Sequence, residues 1–204
     1  DKLKMGNLKQ SEVEKATEGQ KKDFPNGIPE CGADALRFGL LAYTVQGRDV
    51  NLNVNKVAAY RNFCNKIWQA TKFCLMNLGD DFVPTPGYAE ENTASLSFLD
   101  QWILAQLNAC ITSCNEQMQA YMFGNVVEAL TQFWSKNDGS GCLCDVYIEA
   151  VKPVFRLDDS TEENKLKKKQ SRNVLWTCLE VYLRLLHPLM PFVTEELYHR
   201  LPRE

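Results

Sequence analysis

The period of the apolar residues constrains this chain most: through most of its 204 residues they recur at helical spacing, and no stretch sustains the alternation of a strand. Residues 53–78 make the pattern plain. On a helical wheel Val57, Tyr60, Cys64, Ile67, Trp68, Thr71, Leu75 and Leu78 gather on one face, with Asn53 placed as N-cap. Asn55, Asn62, Lys66 and Gln69 occupy the opposite face, and Phe73 falls in line with them. A phenyl ring ending a stripe of amides and one ammonium is the first candidate for a functional feature.

The same reading extends along the chain. "SEVEKATEGQKK" opens with a capping box, Ser11 with Glu14, and predicts a short helix in an otherwise polar, lysine-rich stretch, 1–30. Residues 33–47 predict an apolar helix capped by Gly47, within which Asp34 and Arg37 are spaced for a local ion pair. Residues 79–94 are a loop. Residues 97–121 show helical spacing through Phe98, Trp102, Leu104, Leu107, Ile111, Cys114 and Met118, and the helical pattern continues to Trp134. "SKNDGSG" breaks it, "CLCDVYIEAVKPVF" restores it as far as Pro153, and 165–187 form a long helix with a basic start. After "PLMP" a last helix follows, with Thr194 as its cap and Glu195 and Glu196 in its first turn, favourable to the helix dipole. The fold class is all-α, a bundle of five or six helices.

Composition narrows the chemistry. A net charge of −3 means that a polyanion would be met by a local patch, not by a global field. The eight cysteines contain no CxxC, and the Cys110–Cys114 pair lies far from His187 and His199, so no metal site is expected. Cys110 and Cys114, one turn apart in an apolar run, read as buried thiols, and unpaired thiols fit a reducing compartment, hence the cytoplasm. No apolar run is long enough to span a membrane. No phosphate-cradling glycine loop, nucleophile elbow or zinc-protease word occurs, so no catalytic residue is assigned. His187, at a helix end before a proline, reads as a packing or capping residue.

Several words together carry a resemblance. "GADALRFGLLAYTVQGRDVNL", "YRNFCNKIWQATKF", "CDVYIEAVKP" and "LLHPLMPFVTEELYHRLP" stand in the order found after the catalytic domain of class I aminoacyl-tRNA synthetases of the valine, isoleucine and leucine group. "GIPECGADALRFGL", "QGRDVNLNVNK" and "FCNKIW" most resemble the cytosolic eukaryotic valine branch, and the likeness covers residues 11–204. It implies a polar junction over 1–30, the end of the catalytic part with a tRNA stem-contact junction over 31–52, and a helical anticodon-binding domain over 53–204. The catalytic words HIGH and KMSKS are absent, so activation of valine, with its ATP and Mg, is expected of a separate catalytic part of the parent chain, with no cofactor in these residues. The run between "FW" and "CDVY" is longer and more polar than the family pattern.

The resemblance also assigns the stripe. It implies that Phe73 stacks on an anticodon base, that Lys66 and Asn55 approach the same bases, and that Ile148 adds an apolar contact. Asn62 and Gln69, on the same face, can donate and accept hydrogen bonds. Unpaired loop bases are read by aromatic stacking and by bonds to their exposed edges. Arg48, in the 47–49 turn, and the basic run with Lys165, Lys167, Lys168 and Lys169 are the candidates for tRNA backbone contact; a solvated helix face is the plainer reading of that run. The expected partners are valine tRNA and the catalytic part of the same parent, with this stretch monomeric by itself. Two other readings are open: a helical module that docks another synthetase or translation factor, and the same domain of an isoleucine or leucine synthetase.

Overall fold

A computed structural model describes residues 5–45, 52–135 and 139–203. It divides into two units, Asp1–Glu30 and Cys31–Glu204. In the first, helix α1 (Gln10–Asp23) starts one residue before the expected Ser11 cap. Lys9 is its N-cap, and the Lys9 amide donates to Glu12, so the reciprocal bond uses that residue and not Glu14.

The second unit is built from α2 (Ala33–Ala42), α3 (Val54–Leu78), a single turn α4 (Tyr88–Glu91), α5 (Phe98–Gln119), α6 (Phe123–Trp134), α7 (Ile148–Phe155), α8 (Glu162–Leu186) and α9 (Pro191–Tyr198). Among the described residues there is no strand. The bundle thus has more pieces than the five or six expected, because several apolar runs are cut by backbone geometry. Helix α5 ends in a Schellman motif: Tyr121 takes a left-handed φ of 58°, its amide donates to Met118 O, and that of Met122 donates to Gln117 O. This hydrogen-bonded stop separates α5 from α6, which the sequence pattern joins. Helix α2 closes in a 3₁₀ turn, Tyr43–Val45, and Gly47 lies outside the described residues. A Cβ on Gly124 of α6 would sit 2.8 Å from the Val45 amide nitrogen, so this close approach requires glycine.

Residues Cys142–Tyr147 form a π-helical segment that runs directly into α7, and α7 passes through Pro153 to Phe155 instead of stopping there. Helix α8 starts at Glu162 because Thr161 caps it, its hydroxyl accepting from the Asn164 amide; its first turn is acidic, with the lysines following.

Helix α3 packs chiefly on α2, with further contacts to α8 and α9. Asn53 caps it as expected, accepting from the amides of Asn55 and Lys56. Val57, Phe63, Ile67, Thr71, Cys74 and Leu78 are buried, a broader face than the wheel suggested, because Phe63 stacks on Phe38 of α2 with centroids 5.2 Å apart. In α5, Phe98 is exposed and not core, whereas Ile103 and Cys110 are buried. Trp134 and Phe133 of α6 stack on Tyr182 of α8 at 4.4 and 5.7 Å, closing the core from the far side.

Two polar anchors hold the helices in register. Asp34 and Arg37 do not pair with each other; both reach the α8–α9 turn. The Asp34 carboxylate accepts from the amides of Phe192 and Val193 at 3.2 and 2.7 Å, and Arg37 donates to the carbonyls of Pro188 and Leu189. Asp34 therefore caps α9 from another helix, while Thr194 sits inside α9 and donates back to Met190 O. Glu195 and Glu196 fall on the second turn, where they meet His199 and Arg200. His187 is the C-cap residue of α8 and bonds Thr194 at 2.8 Å. The second anchor is Asp100, 2% exposed, which accepts from Tyr147 at 2.6 Å, from Ser97 at 2.6 Å and from Ser171 at 3.4 Å. It ties α5, the π-helical segment and α8 together.

Candidate nucleic-acid interface

Two residues of the polar stripe of α3, Lys66 and Gln69, face a groove. Lys66, Gln69 and Ala70 form one wall; Ser135, Gly139, Cys144 and Asp145 form the other, enclosing about 430 Å³. The second wall is braced by Asp145, whose carboxylate accepts from Ser135 Oγ at 3.0 Å and from the Gly141 amide at 2.9 Å. Lys66 is exposed, and its charge reaches Cys144, whose thiol is nevertheless pushed up, chiefly by burial. A groove with an ammonium, an amide, a hydroxyl and a carboxylate can meet both donors and acceptors on a base edge.

Phe73 follows Ala70 by one helical turn. Its ring is half-buried and packs against the core. Lys152 of α7 lies over it, Nζ 5.4 Å from the ring centroid and 2.6 Å from Glu149 Oε1. Ile148, four residues before Lys152 in α7, is 5% exposed and packs in the core. It offers almost no surface for an apolar contact with a base, which corrects the direct role implied for it.

Asn55, Asn62 and Gln69 are exposed, and of these only Gln69 lines the groove. Asn55 stands about 27 Å along α3 from Phe73, one consequence of an 18-residue separation. Arg48 lies outside the described residues.

The lysine run is not a free cationic patch. Lys165 pairs with Glu162 at 2.7 Å, Lys167 with Glu163 at 2.6 Å and Lys168 with Asp159 at 2.8 Å; Lys169 lies over the Tyr88 ring. These partners hold the carboxyls of Asp159 and Glu163 below their ordinary range. The acidic stretch 158–163 thus answers the basic run, three of whose lysines are held by neighbouring carboxylates.

Four contributors escaped the sequence reading: Lys152, Asp145, Ser135 and Cys144. Lys152 had a visible signal, lying one turn from Ile148 on the same helix face. The other three are brought together by the bonds of Asp145 to Ser135 and Gly141, which no local pattern records. Among the described residues no cluster of metal-binding side chains occurs, no helix is long and apolar enough to cross a membrane, and every cysteine is free.

Comparison with known proteins gives this chain a family. Residues 100–204 match the family described as the anticodon-binding domain of tRNA ligase. The whole chain is 53% identical over 203 residues to valine–tRNA ligase of Rattus norvegicus, of which it spans 15%. It is 45% identical over 203 residues to valine–tRNA ligase of Schizosaccharomyces pombe, covering all of this chain and 20% of that one. The mitochondrial valine–tRNA ligase 1 of Arabidopsis thaliana is 46% identical over 200 residues, 98% of this chain and 17% of the relative. The chain therefore corresponds to between 15% and 20% of the length of these relatives. With more than half of its residues matched by that family description, the chain belongs to the anticodon-binding domain family of tRNA ligases.

Proposed function

We propose that this chain is the part of a cytoplasmic valine–tRNA ligase that selects valine tRNA by its anticodon loop, while a catalytic part of the same parent joins valine to the tRNA with ATP and Mg. The observation that carries the reading is the groove between α3 and the residues Ser135, Gly139, Cys144 and Asp145, with Lys66 and Gln69 on one wall and Phe73 one turn beyond. In this reading a loop base stacks on the Phe73 ring, and Lys66 meets a phosphate or a base acceptor. Gln69, Ser135 and Asp145 complete the polar edge; Asn55 and Asn62 extend the stripe towards neighbouring nucleotides. Arg48 supplies backbone contact. Because the net charge is −3, binding depends on this local arrangement and not on long-range attraction. The identity to valine–tRNA ligases supports valine as the amino acid.

The test is titration of this chain with the anticodon stem-loop of valine tRNA and with the same hairpin carrying a swapped anticodon. Phe73→Ala is expected to weaken binding of the valine hairpin by about 5- to 150-fold, the equivalent of about 1–3 kcal/mol for one stacked base. It should also narrow the gap between the two hairpins. Lys66→Ala should do the same, with part of its effect vanishing at high salt. Phe73→Ala protein that still separates the two hairpins as well as the parent does would refute the reading.

A further inference from the structure

The Phe73 ring is covered on a face by an ammonium, and that cover bears on how a base could reach it. Lys152 Nζ stands 5.4 Å from the ring centroid, inside the range of a cation–π contact. A stacked base would place its own ring centre roughly 4.5–7 Å from the same centroid, so ammonium and base compete for one volume if they approach the same face. The rest of the ring packs on the core, which restricts where a base can approach. Lys152 is nevertheless not locked in place. Its side chain is 31% exposed, it hangs on a flexible four-carbon stem, and Glu149, its anchor at 2.6 Å, is 60% exposed. Both residues lie on α7, whose preceding π-helical segment supplies Cys144 and Asp145 to the groove wall, while Phe73 follows Ala70 of the other wall by one turn.

We propose that Lys152 is a gate and positioning residue: in the free protein its ammonium holds the face of Phe73, and on RNA binding it gives that face to a base and takes up the phosphate of the incoming nucleotide. The proposal rests on the anticodon-binding reading above. The exchange is reasonable energetically. A half-exposed cation–π contact and an exposed ion pair are both weak, whereas a stacked base and a lysine–phosphate contact that releases a counterion are each stronger. The gate also has a use. An apolar ring at the end of a polar groove would otherwise accept any flat apolar group; an ammonium over it favours an occupant that brings a negative charge beside its flat face. A nucleotide is such an occupant.

The experiment takes four forms of this chain, the parent sequence, Phe73→Ala, Lys152→Met and Glu149→Gln, through hairpin titrations over a series of salt concentrations. Lys152→Met keeps the stem over the ring and removes the charge. It is expected to weaken binding several-fold for both hairpins and to lower the salt slope by about one, since one phosphate contact is lost. Glu149→Gln leaves the lysine intact but loosens its anchor, and binding is expected to tighten several-fold. If Phe73→Ala weakens valine-hairpin binding while Lys152→Met leaves affinity and slope unchanged, the gate is overturned and the anticodon reading stands. If Phe73→Ala has no effect, the anticodon reading fails and the gate with it. Tighter binding by Lys152→Met overturns the proposal, because the ammonium would then be an obstacle only. Unchanged or weaker binding by Glu149→Gln overturns it as well, and that variant keeps the question answerable should Lys152→Met fold poorly.

Discussion

Asp34 shows how far a single carboxylate can act from its own helix. At the sequence level it stands three residues from Arg37, and an ion pair is the natural expectation. In the structure the N-terminus of α9 has Pro191 in its first position and no side-chain cap of its own. Asp34 accepts the next two amides, of Phe192 and Val193, the groups that a residue at the N-cap would satisfy. Asp34→Ala should therefore destabilise the fold by about 1–2 kcal/mol, the cost of losing a good cap, although no apolar area is exposed. Thermal unfolding of the variant checks this. Arg37→Ala in the same background should add little if the two residues act on one turn, a non-additivity that a double-mutant cycle reads directly.

At the scale of one element, α8 and the turn before it form a self-neutralising unit. Asp159, Glu162 and Glu163 are each paired with a lysine of the run that follows, so a polyanion must compete with carboxylates already in place. Replacing Asp158, Asp159, Glu162 and Glu163 with Asn or Gln should release those ammonium groups. Hairpin affinity should then rise equally for valine and swapped anticodons, and the salt dependence should steepen. Conversely, alanine at Lys167, Lys168 and Lys169 should change binding of either hairpin less than Phe73→Ala does. A gain confined to the valine hairpin would show that α8 reads sequence. The element also shows what local pattern can and cannot reveal: the helix, its charge run and the i,i+3 and i,i+4 pairs with Glu162 and Glu163 are plain in the residues, whereas the pair of Lys168 with Asp159 requires the geometry of the turn before Thr161.

Across the whole unit, burial governs the thiols and phenols. Burial pushes the Cys64 thiol up to about 11 and raises those of Cys74, Cys144 and Cys178 further; Tyr147 and Tyr182 are raised for the same reason, Tyr147 also by the Asp100 carboxylate beside it. Each of these groups holds its proton more tightly folded than unfolded. Their contribution is thus fully present below the unfolded thiol value, near 9, and is lost as pH climbs towards the folded values. The melting temperature should be level from pH 7 to about 8.5 and fall steadily above about 9. A level profile to pH 11 would mean that these groups are more accessible than the packing implies. Cys110 and Cys114, 4.0 Å apart, share a hydrogen bond and titrate as a pair, one thiol raised and the other lowered by that contact.

How much of this was legible in the residues depends on the range of the interaction. Apolar period, the Asn53 cap and the polar stripe on α3 are written within one or two helical turns, so helix content, the all-α class and the direction that Lys66 and Gln69 face follow from the chain by itself. The family likeness rests on short words that survive in order, and it was readable for the same reason. Everything that needed two distant segments to meet was decided by tertiary structure: Asp34 capping α9, Asp100 joining three elements, Ile148 turned into the core, and Lys152 laid over Phe73. Helical spacing says which side a residue faces, but only packing says what stands opposite, because burial and hydrogen-bond geometry are settled by neighbours tens to more than a hundred residues away along the chain.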